Sequence, residues 1–164
     1  MTVNTYTEFS GKTIQEIRGC EKHSDEVTIK FTDGSCLKFY HQQDCCETVF
    51  LEDFDTEPEY LINTNIISIE ERKYSDSENA AKPLNDWDES YTWTFYIIKT
   101  SKFTIWMRWY GASNGWYSET VDIDYLYYDK NGEFIKCKIK DVSIWIFTLP
   151  NAWKVLGNIL MRKI

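Results

Sequence analysis

Residues 27–41 read VTIKFTDGSCLKFYH, and this stretch decides the fold class. Val27, Ile29 and Phe31 hold alternate positions, with Thr28, Lys30 and Thr32 between them. A period of two is that of a strand with one buried face. Leu37 and Phe39 repeat the pattern beyond Asp33-Gly34. Asp-Gly tolerates the positive φ that tight primed turns require, so an antiparallel hairpin is expected.

The same signature recurs twice. Asn114-Gly115 lies between FTIWMRWYG and WYSETVDIDYL, and Asn131-Gly132 lies between YLYYDK and EFIKCKI. Each is expected to turn a hairpin. Tyr117, Val121, Ile123 and Tyr125 are expected on a buried face, with Ser118, Thr120, Asp122 and Asp124 on the other. Further strands are expected over residues 12–18, 48–53, 66–72, 91–100 and 135–147. Pro58 suits the first turn of a short helix over 57–62. NAWKVLGNILMRKI, residues 151–164, sets Trp153, Leu156, Ile159 and Leu160 along one helical stripe with a basic end. Residues 74–90 read as an exposed loop.

The expected fold is therefore α+β and mostly β. One dominant antiparallel sheet, curled or barrel-like, is built from hairpins, with one or two short helices including a C-terminal one. The WTFY and RWYG strands should lie near its centre, because so many rings demand burial on at least one face. Residues 1–126 form a β-rich core, and residues 127–164 a basic extension packed on the same domain.

Composition narrows the function. With 164 residues, 43% of them hydrophobic and 16% aromatic, the chain has ample material for a core. No apolar run is long enough for a membrane helix. The start, MTVNTYTEFSGKTIQEI, lacks the pattern of a secretory leader, so a cytoplasmic location is expected. Five cysteines in no framework spacing read as reduced thiols. The net charge is −8. Acids dominate residues 1–129, which argues against direct nucleic-acid or membrane binding and suits a basic protein partner.

Three segments could carry chemistry. In HQQDCCE, His41, Cys45 and Cys46 are candidate metal ligands or nucleophile and base, but zinc wants four ligands and no second pair follows. Adjacent cysteines in extended chain point apart. The alternative is a turn in which Asp44 and Glu47 have capping-box spacing. In RWYGASNGWYSE, Trp106 just upstream, Arg108, Tyr110, Asn114 and Trp116 form a candidate recognition patch, rich in the residue types that dominate interfaces. Its alternative is a hairpin whose rings fill the core and whose Arg108 pairs with Glu119. The run from Asp44 to Glu59 holds Glu52, Asp53 and Asp55 without a single Lys or Arg, and reads as a phosphate mimic or a solvated face. The calcium-loop spacing is missing, as are the phosphate-loop, nucleophile-elbow and zinc-protease motifs.

HQQDCCETV, TWTFYIIKT and RWYGASNGWYSETVD together resemble an uncharacterised small-protein family of bacteriophages and prophages. Its members share a HxxDCCExV segment, a WTFY strand and an RWYGxSNGxYSExVD hairpin. The resemblance implies a phage or prophage origin and a compact β-rich domain, with residues 127–164 beyond the usual core.

The expected function is accordingly a phage-type accessory protein that binds and inhibits a host protein, such as a nucleic-acid-processing defence factor. It needs no cofactor and no catalytic residue. The alternatives are a binder of a nucleotide signal, a cysteine- or metal-dependent enzyme, and a virion or assembly component that self-associates through the C-terminal helix.

Overall fold

The alternation around Asp33-Gly34 becomes a hairpin of β3 (Glu26–Phe31) and β4 (Cys36–Tyr40) in the computed structural model, which describes residues 2–75, 82–129 and 131–138. Its turn is not the two-residue primed type. Phe31 N–H donates to the Ser35 carbonyl (2.9 Å) and Gly34 N–H to the Phe31 carbonyl (3.0 Å), which leaves three residues in the loop. Gly34, not Asp33, takes the positive φ, at 84°. Asp33 instead accepts from Ser35 N–H (2.9 Å) and from the Lys12 ammonium (2.5 Å). This is the hairpin with a glycine bulge.

Eight further strands are described: β1 (Thr2–Tyr6), β2 (Ile14–Arg18), β5 (Glu47–Phe54), β6 (Ile66–Ser75), β7 (Ser90–Thr100), β8 (Thr104–Ser113), β9 (Asp122–Tyr128) and β10 (Phe134–Lys138). Pro58–Leu61 is one turn of 3-10 helix, where Pro58 predicts it. The single dominant sheet is not found. Two five-stranded antiparallel sheets form instead, in the orders β1-β6-β7-β8-β5 and β10-β9-β4-β3-β2. β7 is the central strand of the first and β8 its neighbour, so the WTFY and RWYG strands do lie near a centre.

The inner faces of the two sheets share one core. Leu51, Tyr96, Ile98, Met107 and Trp109 of the first sheet are buried with Ile29, Phe31, Leu37, Phe39 and Ile123 of the second. The rings of Phe39 and Tyr96 meet across it at 4.8 Å. Each such side chain contributes about 1.5–3 kcal/mol by leaving water. The sheets are laced at two corners and do not close into a barrel. At one corner Leu51 bonds His23 and Ser24 through the backbone, and at the other Thr13 bridges Asn65.

Asn114-Gly115 does not turn a hairpin. β8 pairs with β5 and β7, whereas β9 pairs with β4 and β10. The chain crosses between sheets here because residues beyond Ser113 fold back on β8. The Glu119 carboxylate accepts from the hydroxyls of Ser113 and Thr92, both at 2.7 Å. The same segment passes so close over Gly111 that a Cβ there would stand 2.5 Å from the Glu119 carbonyl oxygen. The one-sided burial expected around Ile123 also fails, since Asp122 and Asp124 are buried as well. Lys136 from β10 covers Asp124 with an ion pair at 2.8 Å.

β1, an edge strand on β6, has no counterpart among the expected elements. Asn131-Gly132 does join β9 to β10, with the loop geometry of the first hairpin. The expected helix over 151–164 and the part of the expected strand beyond residue 138 lie outside the described residues. Among the described residues no helix is long and apolar enough to cross a membrane.

Candidate functional site

Alternation along β8 turns Met107 and Trp109 into the core and sends Trp106, Arg108 and Tyr110 to the outer face of the first sheet. Register then sets the neighbours. On β7, Trp93 opposes Tyr110 and Phe95 opposes Arg108. On β6, Tyr74 opposes Trp93. On β5, Phe50 opposes Tyr110 and Asp53 opposes Arg108. The outer face therefore carries a continuous set of rings. Phe95 meets Trp106 at 6.3 Å and Tyr74 at 5.6 Å, and Trp93 meets Tyr110 at 4.7 Å.

Half of this set is closed over. Segment 82–89, expected as part of an exposed loop, lies on it. Trp93 Nε1 donates to the Lys82 carbonyl (2.9 Å), Leu84 N–H donates to the Tyr110 hydroxyl (3.1 Å), and that hydroxyl donates to Asp88. Tyr110 is thus a buried anchor, and burial with the Asp88 carboxylate holds its phenol above the ordinary value. Residues 76–81 of the same expected loop are outside the described ones.

The other half is open. Trp106 is 41% exposed. Arg108 lies over the Trp93 ring at 5.4 Å, a cation–π distance. It does not pair with Glu119. Its nearest carboxylate is Asp53, at 3.8 Å, too long for a hydrogen bond. Its Nε is buried and makes no hydrogen bond. The guanidinium is therefore positioned by packing, with Nε left without a partner.

The remaining candidates scatter. Asn114 and Trp116 lie in the crossover beyond β8. The Asn114 side chain accepts from Trp116 N–H (3.1 Å), and Trp116 is 90% exposed. The acidic run presents no single surface. Glu52 pairs with Lys22 at 2.5 Å, Asp53 faces Arg108, and Asp55 follows β5 as an exposed residue.

His41 and Arg108 do not converge. His41 directly follows β4 of the second sheet, and Glu47 beside it pairs with Ser113, five residues along β8 from Arg108. His41 Nδ1 donates to the Thr120 carbonyl (2.8 Å), and its Nε2 faces Glu47 Oε1 at 3.5 Å. Both side chains are almost wholly buried. Glu47 folds back on the turn, accepting from Asp44 N–H and Cys46 N–H. The capping-box spacing is thus used in its carboxylate half, but it leads into a strand.

The adjacent cysteines do not point apart. Residues 45 and 46 form a bend, and their sulfurs lie 3.0 Å from each other. Among the described residues no group of three His, Cys, Asp or Glu side chains is arranged to hold a metal ion.

Tyr74, Tyr91, Trp93 and Phe95 are absent from the sequence-derived site. The signal was present: Trp93 and Phe95 are two apart and must share a face with whatever opposes them on β8.

A family model described as a domain of unknown function, DUF7448, matches residues 7–123. The chain belongs to that family. The DUF7448 match spans β2 to β8 and the first residues of β9, and so includes the outer aromatic face and the His41–Glu47 turn. No curated protein and no solved structure matches the chain.

Proposed function

We propose that this DUF7448 chain is a binding protein that grips another protein through the open half of the outer aromatic face, with Arg108 and Trp106 at its centre. The observation that carries the reading is Arg108. An arginine packed over the Trp93 ring, with Nε buried and without a hydrogen bond and only a distant carboxylate, adds little to stability. The same arrangement is well suited to donating hydrogen bonds to a partner's carboxylate or carbonyl groups. Exposed Asp53 on the rim and the net charge of −8 favour a partner with a basic surround. A host nucleic-acid-processing protein blocked by a phage-type accessory protein has that character.

The test compares capture of host proteins by the natural chain and by Trp106→Ala and Arg108→Ala. Loss of about 2 kcal/mol of binding for each, roughly thirtyfold in affinity, is expected of central anchors. The melting temperature should barely move, because both side chains are half-exposed. Undiminished capture by the double variant would sink the proposal.

A nucleotide is the second reading, since Trp106 could stack on a base and Arg108 hold a phosphate. A thermal-shift panel of nucleotides separates the two. The depression lined by Glu16, Arg18, Thr28, Lys30 and Cys36 on the second sheet, about 200 Å³, is below the usual range of ligand pockets.

A further inference from the structure

The bend at residues 45–46 places two thiols where neither the core nor the aromatic face uses them. Cys45 and Cys46 are both exposed and both free, and their Sγ atoms are 3.0 Å apart. Cys45 also donates to the Tyr117 hydroxyl at 3.1 Å. The other free cysteines among the described residues are unlike them. Cys20 and Cys36 are half-buried, and desolvation pushes the Cys20 thiol up to about 12 and raises Cys36 as well. A buried thiol held in its protonated form is a poor nucleophile, whereas an exposed one meets any small oxidant.

From this geometry we infer that Cys45 and Cys46 form a vicinal dithiol that small-molecule disulfides oxidise reversibly to a Cys45–Cys46 disulfide. The chemistry balances in two exchanges. The Cys45 thiolate attacks one sulfur of a dialkyl disulfide, forming a mixed disulfide and expelling one thiolate, which takes up the proton Cys45 gave. Cys46 then loses its proton and attacks Cys45 Sγ, closing the protein disulfide and releasing the second small thiol. Two electrons pass from the protein sulfurs to the reagent, and one disulfide replaces another. The Cys46 thiol is pushed up, first by its hydrogen bond with Cys45.

The product closes a small ring through a single peptide bond. Such a ring is strained, and strained, exposed disulfides are the readily reduced ones, so the site is reversible rather than structural. Closure also has somewhere to act. Cys46 N–H donates to Glu47 Oε2 at 3.3 Å, Glu47 faces His41 at 3.5 Å, and His41 holds the Thr120 carbonyl. A changed Cys45–Cys46 peptide therefore pulls on the group that ties the end of β4 to the crossover segment.

The test uses the full chain in glutathione buffers from fully reduced to fully oxidised, followed by acid quenching, digestion and mass measurement of the peptide holding residues 45 and 46. In the natural chain that peptide should become two hydrogens lighter and regain them with dithiothreitol, with no lasting glutathione adduct. Cys45→Ser and Cys46→Ser should each accumulate the adduct on the remaining thiol, because the second exchange is lost. Peptides holding Cys20 and Cys36 should stay reduced. A natural chain that stays a dithiol in the most oxidising buffer overturns the inference. So does one that keeps the adduct as the single variants do, or that links through these residues to a second copy.

Discussion

At the scale of single residues, Gly111 shows how a motif glycine can serve the fold. Its role is not positive φ but space, because the backbone of Glu119 crosses directly above it. A Cβ would stand 2.5 Å from the Glu119 carbonyl oxygen and 2.9 Å from its Cβ. Backbone in that position cannot swing aside as a side-chain tip would. Gly111→Ala should therefore destabilise the protein by about 2–3 kcal/mol, the upper range for overpacking. For a chain of this size that is a fall of roughly 5–10 °C in melting temperature by calorimetry. A melting temperature within 1–2 °C of the natural chain, roughly the size of an exposed surface change, would mean the crossover yields freely. Ser113 and Thr92, which anchor Glu119, belong to the same device. Much of RWYGASNGWYSE thus builds the crossover.

At the scale of elements, β1 is held by one buried carboxylate. Glu71 on β6 accepts from Asn4 Nδ2 (2.7 Å) and the Tyr6 hydroxyl (3.1 Å) on β1, and from the Tyr96 hydroxyl (2.8 Å) on β7. Lys73 adds an ion pair at 3.1 Å. Burial pushes the Glu71 carboxyl up, but the bond from Asn4, the Lys73 charge and the Tyr96 hydroxyl together bring it below the ordinary value. All four partners are donors, and a glutamine offers one oxygen where the carboxylate offers two. Glu71→Gln should cost at least about 2 kcal/mol, since each donor left unpaired costs about 1–3. Amide exchange over residues 2–6 should quicken most, because β1 is the edge strand released; unchanged exchange there would refute the assignment. This element was illegible in the sequence. TVNTY is too short and polar to read as a strand, and its anchor lies 65 or more residues away. By contrast the hairpins at Asp33-Gly34 and Asn131-Gly132 were legible, because turn and alternation are both local. Asn114-Gly115 misled for the same reason: a local turn signal is overruled by Glu119, whose partners include Thr92 on another strand.

At the scale of the whole molecule, the choice between one sheet and two depends on which strands pair over long separations, and period-two patterns do not record that choice. They left open which face Arg108 takes, and they do not supply the neighbours from β5, β6 and β7 that give it its setting. The same long-range pairing brings tyrosines beside carboxylates. Tyr6 and Tyr96 share Glu71, Tyr110 meets Asp88, and Tyr40 lies by Asp124. Desolvation first, and then these carboxylates, hold all four phenols above the ordinary value, with Tyr40 at about 12. Tyr117 is likewise raised to about 12, first by its hydrogen bond with Cys45. A phenol raised in the folded state stabilises the fold fully below its unfolded value, near 10, and the gain is lost as pH climbs through the folded value. Glu71, Glu26 and Asp33, each held below the ordinary value, work in the opposite sense. Their contribution is complete above the unfolded carboxylate range, near 4, and is lost as pH falls through their folded values. Stability should therefore form a plateau between about pH 5 and pH 8.5, above which the raised thiols of Cys20 and Cys36 and then the raised phenols give an alkaline limb. Ultraviolet titration of the folded chain at about pH 10–11 should show a shortfall of tyrosinate that denaturant abolishes, and the alkaline limb should steepen where that shortfall opens. Coincident titration curves with and without denaturant would show that the phenols are not held by the fold, and the pairing of tyrosine with carboxylate between the strands would have to be abandoned.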